Sequence, residues 1–183
     1  MRVGKHLQGT KDKGIIFKPD PAHGLECFVD ADFAGCWSKD ELADADNVMS
    51  RTGYVIMYAG CPIIWCSKYQ TKIALSTVEA EYLALSQALR EVIPLMQLLR
   101  EVNEVFPVTL DAPRIHCKVW EDNEGCISLA NNGRFSPRTK HIAIKYHHFR
   151  QHVTNGSISI HSIDTKEQIA DIFTKPLDES LST

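Results

Sequence analysis

Apolar and polar positions run along this chain in two different periods, and the switch between them outlines an architecture. Glu26-Cys27-Phe28-Val29-Asp30-Ala31-Asp32-Phe33 reads as a strand that ends in an acidic turn. A charged loop from Ser38 to Asn47 follows it. Two apolar runs rich in β-formers come next, Gly53-Tyr54-Val55-Ile56-Met57-Tyr58 and Pro62-Ile63-Ile64-Trp65-Cys66-Ser67. Only Ala59-Gly60-Cys61 separates them, so they read as a hairpin. The period then changes. Val78, Tyr82, Leu85, Leu89, Val92, Met96 and Leu99 are spaced alternately four and three apart, a single apolar stripe on one helix face. Ser76-Thr77-Val78-Glu79 has the form of a capping box and marks the start. The pattern predicts a helix over 77–92, with Pro94 expected to kink or split whatever continues beyond it.

Arg114 to Trp120 reads as a fourth strand. It leads through Glu121-Asp122-Asn123 into a short helix that Asn132-Gly133 ends. Ile142, Tyr146, Phe149 and Val153, at spacings of four, three and four, predict a helix over 141–152. Ser157-Ile158-Ser159-Ile160-His161 alternates as a strand. A last short helix places Ile169, Ile172 and Phe173 on one side and closes at Lys175-Pro176. The order β-β-β-α-β-α-α-β-α is that of an α/β domain built on one mixed sheet. Residues 1–20 are polar and punctuated by glycine, and read as the tail of a preceding domain plus a linker. The globular part is expected from Gly24 onward.

Composition narrows the class. The chain has 183 residues, 44% hydrophobic and 23% charged, enough for one domain with a sizeable core. No apolar run approaches the roughly 18 residues of a membrane span, and the start lacks the apolar region of a signal peptide. An intracellular protein is the expectation. The six cysteines form no CxxC pair and several sit inside apolar stretches, which reads as reduced core thiols rather than a disulfide framework. A net charge of -3 argues against a protein that coats nucleic acid nonspecifically. The charge is uneven, however. From Gly125 to Ile163 there is no Asp or Glu, while Arg134, Arg138, Lys140, Lys145 and Arg150 fall there with His141, His147, His148, His152 and His161. The acidic residues concentrate elsewhere, notably from Asp30 to Asp46. One acidic spot and one basic strip suit a molecule that holds cations and phosphates together; a solvated basic face fits the charge pattern equally well.

Four carboxylates stand where a phosphoryl-transfer site can be assembled. Asp30 ends the first strand, Glu81 lies in the first turns of the long helix, Asp122 follows the fourth strand and Asp171 lies in the last helix. Hydrolysing a phosphodiester requires an activated water and a stabilised leaving oxyanion. Two Mg²⁺ ions about 3.5–4 Å apart do both, and such hard cations take carboxylate oxygens. Each acid also has a structural use. Asp30 can open a turn and shares its strand face with Asp32, so the pattern alone leaves that pair open. Asp122 can cap the helix that follows it. Glu81 is more telling, because it lies about 50° from the centre of the apolar stripe, against about 110° for Glu79. A carboxylate on the flank of a buried face is costly without a charge partner, and a metal would supply one.

These residues also carry a family resemblance. Phe28-Val29-Asp30-Ala31-Asp32-Phe33-Ala34-Gly35-Cys36 resembles the opening strand of copia-type retrotransposon ribonuclease H. Arg51-Thr52-Gly53-Tyr54-Val55 and Pro62-Ile63-Ile64-Trp65-Cys66-Ser67-Lys68-Tyr69-Gln70 continue the match, followed by Leu75-Ser76-Thr77-Val78-Glu79-Ala80-Glu81-Tyr82-Leu83-Ala84-Leu85. Glu121-Asp122-Asn123, Arg138-Thr139-Lys140-His141-Ile142 and Glu167-Gln168-Ile169-Ala170-Asp171-Ile172-Phe173-Thr174-Lys175-Pro176-Leu177 complete it. The ordered blocks cover about residues 24–178, leaving 1–23 as the tail of a reverse transcriptase region with its linker and 179–183 as a C-terminal tail.

The resemblance implies a ribonuclease H-like α/β fold, a five-stranded mixed sheet flanked by helices. It implies a D-E-D-D site at Asp30, Glu81, Asp122 and Asp171, and so chooses Asp30 over Asp32. The implied cofactor is two Mg²⁺ ions, with Mn²⁺ able to substitute. The implied reaction is cleavage of the RNA strand of RNA/DNA hybrids during reverse transcription, leaving 5′-phosphate and 3′-hydroxyl ends. Arg134, Arg138, Lys140 and Lys145, with Lys68 and Lys72, are the candidates for holding DNA-strand phosphates. The implied partners are the hybrid and the reverse transcriptase domain of the same polyprotein, in the cytoplasm within a retrotransposon particle.

Two departures stand out. Many ribonucleases H carry a His in the loop before the last helix, where this chain has Ser162-Ile163-Asp164-Thr165-Lys166; relatives usually show an acid after Lys-His-Ile, where it has Ala143. Three other readings compete: a silent hybrid-binding module, an integrase-type strand-transfer enzyme, and a zinc site at His147, His148 and His152. Four acids argue against the first. The order of the acids argues against the second, since Glu81 precedes the second Asp. The third lacks a partner motif at suitable spacing.

Overall fold

The computed structural model describes residues 2–35, 48–106, 115–132 and 147–175. The chain opens with helix α1 (Arg2–Thr10) in a stretch that reads from sequence only as polar linker; its Val3 and Leu7 are exposed. Five strands then build one sheet: β1 (Leu25–Asp32), β2 (Arg51–Tyr58), β3 (Cys61–Tyr69), β4 (Cys117–Glu121) and β5 (Ile158–Ser162). Their spatial order is β3-β2-β1-β4-β5. The first three run antiparallel to their neighbours, while β4 lies parallel to β1 and β5 parallel to β4. This is the mixed five-stranded sheet that the sequence predicts. The β2–β3 turn puts Ala59 at φ 51° and Gly60 at φ 73°, both left-handed, as a tight hairpin between twisted strands requires.

The long helix, α2 (Thr77–Val105), runs 29 residues without a break, so Pro94 does not split it. Pro94 and Arg90 are both exposed, and Pro94 has no N–H to offer the Arg90 carbonyl. Val92 and Met96, buried on either side, hold the helix to the core across that gap. Half of the capping box forms: the Glu79 N–H donates to Ser76 Oγ at 3.2 Å, while Glu79 Oε2 accepts from the Leu75 N–H at 2.8 Å, one residue before the cap. The apolar stripe then packs on one sheet face. Tyr82, Leu85, Leu89 and Val92 meet Cys27, Val29, Ile56, Val119 and Ile158 in a single core. Each such aliphatic side chain contributes about 1.5–3 kcal/mol by leaving water.

Two further helices complete the layer, α3 (Glu124–Asn132) and α4 (Arg150–Thr154). A 3₁₀ turn at His147–Phe149 precedes α4 and seats Phe149 on the Tyr82 ring, 5.6 Å between centroids. The helix expected over 141–152 is therefore a 3₁₀ turn and a short α-helix where it is described, and residues 141–146 lie outside the described part. The last helix also differs from expectation. Ile169–Phe173 is 3₁₀, and it buries Ala170 and Thr174 while Ile169 and Ile172 stay exposed. The segment approaches the sheet closely at Gly53, where a Cβ would lie 2.6 Å from Thr174 Cγ2 and 2.9 Å from Phe173 Cβ.

Candidate active site

β1 and β4 pair in parallel from Leu25↔Cys117 to Phe28↔Trp120 and then part. A crevice at the carboxyl ends of such strands is where α/β sheets place ligands. Asp30 lies on β1 just beyond the split, and Asp122 just past the end of β4. Glu81 reaches the same place from α2. Ligand-capable oxygens of Asp30, Glu81 and Asp122 all lie within 4.8 Å of one another. Among the described residues this is the one such group, and neither Asp32 nor His148 and His152 belong to one.

Local bonds explain the positions. Asn123, not Asp122, caps α3: its Oδ1 accepts from the Cys126 N–H at 3.0 Å, which frees Asp122 for the crevice. Asp122 Oδ2 instead accepts from Thr165 Oγ1 at 2.8 Å. Asp30 accepts from Thr174 Oγ1, and Thr174 also donates to the Asp171 carbonyl at 3.2 Å. Asp171 sits beside the group of three rather than within it. Its Oδ1 accepts from Lys175 Nζ at 2.8 Å, and the same ammonium stands 4.0 Å from Asp30 Oδ1.

The electrostatics are those of a cation site. Burial raises Asp30 from 3.8 to about 6, although the Thr174 bond and the Lys175 charge pull the other way. Glu81, 7% exposed, is pushed far above the carboxylate range by burial and then by the charges of Glu121, Asp30 and Asp122. Glu121, fully buried at the end of β4, is raised by burial and by Asp122 and Asp30, against a bond from the Asn123 N–H. Burial by itself would lower Lys175, but its bond to Asp171 and the charge of Asp30 raise it. Glu81 Oε2 and Glu121 Oε2 are buried and find no hydrogen-bond partner among the described residues. Converging acids with orphaned oxygens, and an ammonium already drawn to their edge, fit a divalent cation.

Five residues at the site carry no role in the sequence reading: Glu121, Thr165, Gln168, Thr174 and Lys175. Glu121 had a signal, since it continues the buried alternation of Cys117 and Val119 on β4. The others act from irregular segments, where no period announces them. Of the six candidate phosphate-binding cations, Arg134, Arg138, Lys140 and Lys145 lie outside the described residues. Lys68 and Lys72 line a cleft of about 390 Å³ beside α2, on the far side of that helix from Glu81.

No family model matches the chain. It is 35% identical over 176 residues to the retrovirus-related Pol polyprotein from transposon RE2 of Arabidopsis thaliana, an alignment that takes in 96% of this chain. Identity is 34% to the transposon RE1 polyprotein of the same plant, again over 96% of the chain, and 36% to that of transposon TNT 1-94 of Nicotiana tabacum over 93%. The chain spans 11–12% of the length of these relatives. Among solved structures, the N-terminal RNase H domain of rv2228c from Mycobacterium tuberculosis superposes with a TM-score of 0.54 at 12% identity, covering 82% of this chain and 90% of that one. LC11-RNase H1 from a compost metagenome, solved in complex with an RNA/DNA hybrid, gives 0.50 at 18% identity over 81% of this chain and 92% of its own. At such identities these two establish the fold. With the sheet order and the relatives together, the chain is homologous to a segment of the retrovirus-related Pol polyproteins of plant transposons and has the ribonuclease H fold.

Proposed function

We propose that this segment is an endonuclease that hydrolyses the RNA strand of RNA/DNA hybrids during retrotransposon reverse transcription. The observation that carries the reading is the convergence of Asp30, Glu81 and Asp122 at the split between β1 and β4, with Asp171 alongside. The family and the fold support it. These four carboxylates would hold two Mg²⁺ or Mn²⁺ ions. When bound, the ions supply water activation and neutralisation of the leaving 3′ oxygen, which yields a 5′-phosphate product. The chain's own residues set the geometry. Thr174 orients Asp30, and Thr165 orients Asp122. Lys175 balances part of the negative charge that the fold concentrates here.

Hybrid binding draws on cations away from the acids. Lys68, Lys72 and Arg90 line one cleft with Tyr69, Thr71 and Gln87, and they form no ion pair among the described residues. That lining suits a phosphodiester backbone. Substituting all three by Ala is expected to weaken hybrid binding and flatten its dependence on salt by about one logarithmic unit for each phosphate no longer neutralised. Fluorescence anisotropy in Ca²⁺ at several salt concentrations measures this. An unchanged slope removes the cleft from the binding surface.

The reverse transcriptase domain of the same polyprotein is the proposed partner in the chain, inside a transposon particle. Among the described residues no helix is long and apolar enough to cross a membrane. The direct test uses a labelled RNA/DNA hybrid, the purified chain, Mg²⁺ or Mn²⁺, and an Asp122→Asn variant beside it. Cutting confined to the RNA strand and lost in the variant is the expected result. Hybrid that is bound but stays whole, even with the polymerase domain restored, leaves a silent binding module instead.

A further inference from the structure

Four acids from four separate segments have to meet with oxygens a few ångströms apart, and the fold needs something to hold those segments in register. β1 and β4 stop pairing after Phe28↔Trp120. Beyond that point the parallel ladder opens and leaves a gap between the two strands. Gln168 fills it. Its Nε2 donates to the Val29 carbonyl at 2.8 Å and to the Trp120 carbonyl at 3.3 Å, while its Oε1 accepts from the Ala170 N–H at 3.3 Å. The side chain is 3% exposed. Both amide protons and the amide oxygen are thereby used, and no other side chain supplies that pattern at this reach. Glu lacks the donors, Asn is one methylene short, and Leu or Met offers no polar atom of the required kind.

The three bonded groups are neighbours of the acids. The Val29 carbonyl belongs to the peptide that enters Asp30. The Trp120 carbonyl belongs to the peptide that enters Glu121, one residue before Asp122. The Ala170 N–H precedes Asp171. One amide therefore ties together three of the four chain segments that carry the carboxylates.

We infer that Gln168 is the positioning residue of this site: a clamp across the β1–β4 split that sets the spacing of Asp30, Asp122 and Asp171 and so tunes their affinity for divalent cations. This rests on reading the carboxylates as a metal site. It does not require that the bound metal cut a hybrid. The carbonyls it satisfies lie inside the molecule, so the clamp acts through backbone position rather than by touching substrate.

The test uses the full chain and the isosteric Gln168→Met variant, which keeps the volume and removes all three bonds. Calorimetric titration with Mn²⁺ in the absence of nucleic acid is the primary readout. Affinity is expected to fall about tenfold or more, the usual consequence of losing a group that orients metal ligands. On hybrid, kcat is expected to fall with KM for the hybrid little changed, and the Mg²⁺ concentration for half-maximal rate to rise. An Ile169→Ala variant, altered at an exposed neighbour, should match the parent in all three. Mn²⁺ affinity within twofold of the parent in folded Gln168→Met overturns the inference, whatever its melting temperature.

Should Gln168→Met not fold, the parent chain answers directly. The Gln168 side-chain NH₂ protons are then expected to exchange slowly with solvent and to shift on Mg²⁺ addition in an NMR spectrum. Exchange at solvent rates with no response to Mg²⁺ overturns the clamp. A parent chain whose Mn²⁺ affinity depends on Gln168, yet which leaves hybrid uncut even with the polymerase domain restored, refutes the nuclease reading alone.

Discussion

Glu81→Gln is expected to abolish hybrid cleavage, by about a thousandfold or more, and at the same time to make the metal-free protein more stable. The loss of activity follows from position. Glu81 is the one α2 acid that meets Asp30 and Asp122, and a neutral amide cannot replace a carboxylate that holds a hard cation. A thousandfold corresponds to about 4 kcal/mol of transition-state stabilisation. The gain in stability follows from burial. The Glu81 carboxylate is almost wholly removed from water, one oxygen finds no partner among the described residues, and three further acids press on it. Gln keeps the shape and can donate to its acidic neighbours. It therefore removes a repulsion that the metal-free fold must otherwise bear.

The sign shows in pH. A carboxyl raised by folding binds its proton more tightly in the native state than in the unfolded one, so its ionisation favours unfolding. Asp30 titrates from 3.8 unfolded to about 6 folded, and Glu81 and Glu121 are raised as well. Stability of the metal-free parent is thus greatest at the acid end of this window and falls as pH rises from about 4 through 6, and further as the two glutamates ionise. Thermal melts between pH 5 and 8 measure it. In Glu81→Gln the decline is shallower, and Mg²⁺, which stabilises the parent at pH 8 by binding only the native state, does so less. A variant that is less stable than the parent at pH 8 without metal contradicts this account of the site.

Gly53→Ala is expected to cost about 1–3 kcal/mol of stability and about a hundredfold or more in cleavage, although residue 53 touches no substrate. The new methyl would meet Thr174 Cγ2, Phe173 Cβ and the Ala170 carbonyl, the last at 3.0 Å. The hairpin cannot retreat, because β2 is paired on both sides. The 3₁₀ segment must therefore lift, carrying Asp171 and the Thr174 hydroxyl away from Asp30. A melt and a cleavage assay on the same preparation separate this from simple unfolding. Activity per folded molecule equal to that of the parent would mean that the segment does not need its seat on the sheet.

Much of this was legible in the chain itself. The period-two runs, the tight Ala59-Gly60 turn and the three–four stripe of α2 each specify an element from local physics alone, and the elements occur where the patterns fall. Glu81 was readable because a helix has a fixed angular repeat, so a carboxylate beside the buried stripe declares its environment. The choice of Asp30 over Asp32 was not in the local pattern. It came first from the likeness to a family, and the convergence with Glu81 and Asp122 agrees with it.

What tertiary structure decided is where long-range packing overrides or completes local preference. Pro94 passes through α2 because Val92 and Met96, buried on either side of it, hold the packed face. Ile169 and Ile172 stay exposed while Thr174 and Phe173 seat against Gly53. Asp122 is free because Asn123 takes the cap. Thr165, Gln168 and Thr174 matter only through bonds that cross between 43 and 144 residues of sequence. A period along the chain reports which face of an element meets the core. It carries no information on which distant backbone carbonyl or carboxylate a side chain from an irregular segment will find, because that pairing exists only once the sheet has closed.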